Sequence, residues 1–209
     1  MRFGVLAVWL LSASAATAIA ADGTDAVIQR TEQVVRESFT TATPEQWKTR
    51  LAQDQTQAWC SRYHNAPPPD IAASIVADAL GSFRYPESGR LLGNWKEGEK
   101  LASIGTGGHI GRLQPDPPDR KRGGNCYACH ALAATEIAAG TLGPSLTGYG
   151  KLRGNSPEAI KFVYEKIYNA HATFPCSLMP RFGHNAWLTP EQIADTVAFL
   201  LDPDSPVNK

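Results

Sequence analysis

Five consecutive residues, Cys126-Tyr127-Ala128-Cys129-His130, constrain this chain more than any other feature. Cysteines three positions apart lie on one side of a single helical turn, and a histidine follows the second at once. Three chemistries use that spacing. A redox dithiol wants a strand–helix–strand setting, and no strand pattern flanks the motif. A zinc site wants four ligands, which Cys60 and Cys176 would complete only from far along the chain. The third is covalent haem attachment: both thiols form thioethers with the two vinyl groups, and the histidine turns its imidazole to the iron. Gly123-Gly124, just upstream, would let the backbone pass close to a flat macrocycle. The spacing predicts one haem c on Cys126 and Cys129, with His130 as an axial ligand.

The start of the chain reads as a targeting segment. Met1-Arg2 supplies one positive charge, Phe3 to Leu11 are apolar, and Ala18-Ile19-Ala20 fits a small-x-small cleavage site. The apolar run is too short for a bilayer span, which needs about 20 residues. Residues 1–20 are therefore expected to be a cleaved signal peptide and the mature chain to be periplasmic, without membrane insertion. Four cysteines remain after export. With two committed to the motif, Cys60 and Cys176 are expected to pair as a disulfide in an oxidising compartment.

Charge excludes one function class. The sequence has 20 basic and 20 acidic residues, and Arg2 leaves with the leader. That balance lacks the basic excess of a nucleic-acid footprint, and Arg120-Lys121-Arg122 reads as a solvated loop. Gly105 to Gly111 is not a phosphate loop either: Ile110 stands at the third glycine site, and no Gly-Lys-Ser/Thr follows.

The remaining patterns are helical. Residues 24–39 carry Val27, Val34, Val35 and Phe39 toward one side. Thr43-Pro44-Glu45-Gln46 is a capped start with proline at the first helical position, predicting a helix running toward Cys60. Pro67-Pro68-Pro69 stops it, and Asp70 is placed as cap of a further helix through Leu80. Residues 81–111 are turn-rich, with Trp95 expected to be buried, and Pro115, Pro117 and Pro118 mark a loop. Ser156-Pro157-Glu158 starts a helix whose Ile160, Val163, Tyr164 and Ile167 share one face. Thr189-Pro190-Glu191-Gln192 starts the last, carrying Ile193, Val197, Leu200 and Leu201, and Pro203 ends it. The expected fold is all-α: a helical extension over 21–97 and a haem domain over 98–209.

Gly143-Pro144-Ser145-Leu146 begins thirteen residues after His130, and Met179-Pro180 lies forty-nine after it. This order resembles the class I cytochrome c family over about residues 98 to 201. The resemblance implies that the Pro144 carbonyl accepts the hydrogen bond of His130 and that Met179 supplies the sixth iron ligand. Physical chemistry agrees: a ligating histidine usually donates its second ring N–H to a fixed acceptor, and Pro180 biases Met179 toward extended backbone. Met179 as core filler against aromatic rings is the competing reading. His64, His109, His171 and His184 are the other candidates for the sixth position, of which His171 and His184 flank Met179.

Gly148-Tyr149-Gly150, Met179-Pro180-Arg181-Phe182-Gly183-His184 and the tail Leu201-Asp202-Pro203-Asp204-Ser205-Pro206-Val207-Asn208 narrow the likeness. Together with the haem motif they resemble the SoxX family, the monohaem subunit of SoxAX cytochromes of sulfur oxidation. That resemblance implies a periplasmic heterodimer with a SoxA-like haem subunit, where thiosulfate is oxidatively joined to a cysteine of the carrier SoxYZ. It also implies that electrons pass on to a small cytochrome. No independent catalytic site is then expected on this chain. A free-standing electron shuttle and a haem enzyme with a displaceable sixth ligand are the alternatives. Arg153 and Arg181 are candidates for pairing with haem propionates.

Overall fold

The computed structural model describes residues 10–106, 113–114, 117 and 119–209, with side chains from residue 23 onward. His109, Pro115, Pro118 and the start of the leader lie outside the described residues. Among those described, eight α-helices and short 3-10 and π turns make up the regular structure, and there is no strand. The chain divides into two compact units, Met1–His64 and Asn65–Lys209.

The first unit contains α1 (Leu10–Ser38), α2 (Pro44–Gln46) and α3 (Gln55–Arg62). Thr43 caps α2 with the expected capping box, in which Gln46 reaches back to the Thr43 amide. The helix does not run on to Cys60. It loosens into a π turn, Trp47–Leu51, and stops where the Ala52 N–H bonds back to the Trp47 carbonyl. A second capping box, Asp54 with Gln57, then restarts the chain as α3. A capped restart satisfies amide donors that a helix start leaves unpaired. An Asp25–Arg62 ion pair links α1 to α3, and the Arg36 guanidinium lies 4.4 Å from the Trp47 ring centre.

The second unit begins well upstream of residue 98, the expected boundary. α4 (Pro69–Gly81) has Pro68, not Asp70, at its cap position; Pro69 is the first helical residue and Asp70 sits in the first turn. α5 (Trp95–Ser103) occupies the stretch expected to be turns, so position 98 falls inside a helix. Trp95 opens that helix half-buried rather than buried. α6 (Tyr149–Arg153) follows the haem motif, and α7 (Pro157–Tyr168) and α8 (Pro190–Leu201) start on Ser156 and Thr189 as read from sequence.

The crossing of α5 and α8 organises this unit. A side chain at Gly98 would bring its Cβ within 2.1 Å of the Asp195 carbonyl, so glycine sets the closeness of approach. Immediately before α5, the Gly93 N–H donates to the Ala194 carbonyl and the Asn94 N–H to Asp195 Oδ1, 2.7 Å. Leu101, Val163, Ile167, Ile193, Val197, Phe199 and Leu201 fill the core between α5, α7 and α8. The tail closes it: Asn208 donates to the Leu200 and Asp202 carbonyls and accepts from the Gly150 N–H.

Candidate cofactor site

The Cys-x-x-Cys-His segment is a single tight turn rather than a helix. Asn125 enters it in the left-handed region, at φ 45°. Cys126 to Ala128 form one 3-10 turn, and both Cys129 and His130 donate their N–H groups to the Cys126 carbonyl. The approach is pinned to α5: the Gly124 N–H donates to the Leu101 carbonyl and the Asn125 N–H to that of Ile104. A side chain at Gly123 would strike Ile104. From the other side, the Trp187 indole donates to the Gly123 carbonyl at 2.9 Å, with the Arg122 guanidinium stacked 5.1 Å from its ring centre.

His130 is fixed by the segment expected to fix it. Its Nδ1 lies 2.7 Å from the Pro144 carbonyl oxygen. A carbonyl can only accept, so Nδ1 carries the proton and Nε2 keeps a lone pair for a metal. Gly143 lies flat against the ring: a Cβ there would sit 2.2 Å from His130 Cε1. The Gly143 N–H donates to the Cys129 carbonyl. Gly-Pro therefore supplies both clearance and acceptor for one imidazole.

An apolar cavity brings the pieces together. Cys126, His130 and Met179 line it, with Leu132, Leu146, Ile167, Phe182, Leu188, Phe199 and Leu200 among the walls. Met179 comes from the loop between α7 and α8, half-buried, its N–H donating to Ser177 Oγ at 3.2 Å. Burial pushes the Cys126 thiol up to about 11, so it stands neutral among apolar neighbours. Cys126 and Cys129 are free thiols, whereas Cys60 and Cys176 are disulfide-bonded.

The other histidines lie elsewhere. His64 and His184 are exposed, and His171 is buried in the 3-10 turn Ala170–Ala172. None of the three lines the cavity. Among the described residues no cluster of three or more His, Cys, Asp or Glu side chains could hold a free metal ion. An imidazole, a thiol and a thioether lining an apolar slot, with a second thiol in the same turn, suit a metal that arrives inside an organic macrocycle.

A family model for cytochrome c matches residues 123–202. The chain carries a cytochrome c domain. The match begins at Gly123, where the approach to the motif is pinned, and ends one residue after α8. An uncharacterized lipoprotein of Aquifex aeolicus (strain VF5) is 42% identical over 163 residues, which is 78% of this chain and 76% of that protein. The two belong to one family, and the likeness extends well beyond the cytochrome c domain. That domain implies a covalently bound haem c and electron transfer as its chemistry.

The sequence pointed to every ligand candidate on the cavity wall, but not to the struts behind them. The Trp187–Gly123 bond joins residues 64 positions apart. A lone tryptophan in a loop carries no signal that would reveal such a partner.

Proposed function

We propose that this chain is a periplasmic, monohaem electron-transfer subunit of a SoxAX-type complex, whose larger partner oxidatively couples thiosulfate to a carrier cysteine. Cys126 and Cys129 would hold the haem through thioethers, His130 and Met179 would ligate its iron, and the Pro144 carbonyl fixes the His130 tautomer. The observation that carries this reading is the sharing of one apolar cavity by Cys126, His130 and Met179, with His130 Nδ1 2.7 Å from Pro144. Bound there, the haem would supply a one-electron couple. The chain's part is to attach it, exclude water from it and hold both ligand atoms in place. Histidine/methionine ligation raises the potential relative to two histidines, as suits an acceptor within a complex.

Export is supported by the leader pattern and by a relative named as a lipoprotein. Among the described residues no helix is long and apolar enough to cross a membrane. The SoxX reading rests on the Met179-to-His184 segment and the tail, which the bare haem motif does not require. Affinity capture of the tagged chain from the native periplasm should retain a larger c-type haem subunit. The isolated chain should not couple thiosulfate to a carrier thiol. Turnover by the isolated chain, or capture of no haem partner, would favour the displaceable-ligand enzyme or the free shuttle respectively.

Cys60 and Cys176 are the remaining two of the four cysteines, and we propose that they pair with each other, as parity in an oxidising compartment implies. Cys176 precedes Met179 by three residues and holds left-handed backbone, φ 59°. A cross-link there braces the loop that carries the sixth ligand. Thiol titration of the denatured, unreduced holoprotein should find no free thiol, and two would remove the bridge.

A further inference from the structure

Residues 181–188 lead from Met179 to the start of α8, and they form a closed knot. The Phe182 carbonyl accepts from the N–H groups of both Trp187 and Leu188, at 2.8 and 3.1 Å. Inside that closure the Ala186 N–H donates to the Gly183 carbonyl and the Asn185 N–H to that of Arg181, each at 3.0 Å. The Gly183 and His184 N–H groups both donate to the Tyr168 carbonyl, which docks the knot on the end of α7. Gly183 lies flush with the Tyr168 ring, where a Cβ would come within 2.2 Å of Cδ2. Phe182 and Leu188 line the cofactor cavity together with Met179. A segment bonded this closely to itself moves as one body.

One side chain ties that body to the segment that enters the Cys-x-x-Cys-His turn. The Trp187 indole N–H donates at 2.9 Å to the carbonyl of Gly123, three residues before Cys126. The indole is half-buried against the core, and the Arg122 guanidinium 5.1 Å from its centre holds it by a cation–π contact. Ala186, just before it, holds left-handed backbone at φ 50°. Alanine adopts that region only at a cost, so the chain accepts strain at the residue that aims the indole. A purely apolar ring would fill the same space. The N–H adds a tie that closes a circuit from Cys126 and His130, through Gly123 and Trp187, back along the knot to Met179.

We propose that Trp187 is a positioning residue for Met179: its bond to Gly123 fixes the separation between the segment carrying His130 and the segment carrying Met179, and so keeps the thioether from leaving the iron. This role rests on the reading of Met179 as sixth ligand. Without the tie, the knot swings on its α7 anchor and draws Met179 away from the slot, a local opening that needs no global unfolding. One coordination position is then open to small anions. With the tie, the sulfur stays in place in both oxidation states, and little has to move when an electron passes. A methionine ligand raises the potential, so loosening it lowers the potential.

Cyanide binding to the oxidised, full-length holoprotein tests this, because cyanide enters as Met179 leaves. Trp187→Phe keeps an aromatic ring and removes the donor. It should speed cyanide association by about fivefold or more, as expected when a closed state loses one hydrogen bond, and lower the reduction potential. Replacing Trp187 with benzothienylalanine, in which sulfur takes the place of the N–H at nearly constant shape, should do the same and serves if the phenylalanine variant does not mature. Gly98→Ala, at the α5–α8 crossing and outside the knot, should lower the thermal midpoint yet leave the cyanide rate unchanged, which separates lost position from lost stability. A cyanide rate indifferent to removal of the indole N–H, or raised equally by Gly98→Ala, would overturn the proposal. A wild type that carries haem but lacks the far-red sulfur-to-iron band would instead remove the Met179 reading, and the role of Trp187 with it.

Discussion

Individual residues at the site are chosen for what they leave room for as much as for what they donate. Gly143 clears the face of His130 and Pro144 offers the acceptor, so a two-residue motif sets both position and tautomer of one imidazole. Met179 entered as a candidate through the family resemblance, and it is the sole methionine beyond Met1. Its packing among Phe182, Leu188 and Phe199 around the cavity was not. If its sulfur binds iron, the oxidised protein should show the weak far-red sulfur-to-iron band. Met179→Leu keeps the volume and should lose that band while lowering the reduction potential. A wild-type spectrum without the band would return the sixth position to a histidine. His171 and His184 lie off the cavity wall, so the loop would then have to rearrange.

Helices announce themselves through their caps. α7 and α8 begin on Ser156 and Thr189 because those side chains accept the orphan amides of the first turn. Both starts were visible as Ser/Thr-Pro-Glu signatures. α5 was not, for an opposite reason: Gly98 in mid-helix counts against helix locally, costing about 1 kcal/mol relative to alanine. Its value is tertiary, since only glycine lets the backbones of α5 and α8 approach this closely. Asp54 and Gln57 likewise formed a second capping box inside what read as one continuous helix. Gly98→Ala should therefore destabilise the protein despite its better helix propensity. Forcing a methyl against the Asp195 carbonyl costs roughly 1–3 kcal/mol, as overpacking does. The thermal midpoint should fall by roughly 2–4 °C per kcal/mol for a chain of this size. A midpoint equal to or above that of the wild type would show that the crossing is not set by this contact.

At the scale of the whole molecule, one compact unit gathers segments that lie far apart in the chain. The approach to the motif is bonded to α5, the imidazole to the Gly-Pro turn, and Trp187 of the methionine loop back to Gly123. Sequence order pointed to the ligand candidates that line this slot but placed the domain boundary at residue 98, inside α5, because turn-like composition concealed an element that packs against α8. The unit encloses an apolar slot with two free thiols in the adjoining turn, and the electron-transfer role depends on what those thiols hold. Extraction of the purified, natively exported protein with acidified acetone, followed by haem quantification on the polypeptide, tests that dependence most directly. The pigment should stay with the chain at one haem per polypeptide, and replacing Cys126 and Cys129 with alanine should release it. Pigment that leaves the wild-type chain as free haem, or a chain that carries none, would contradict covalent attachment.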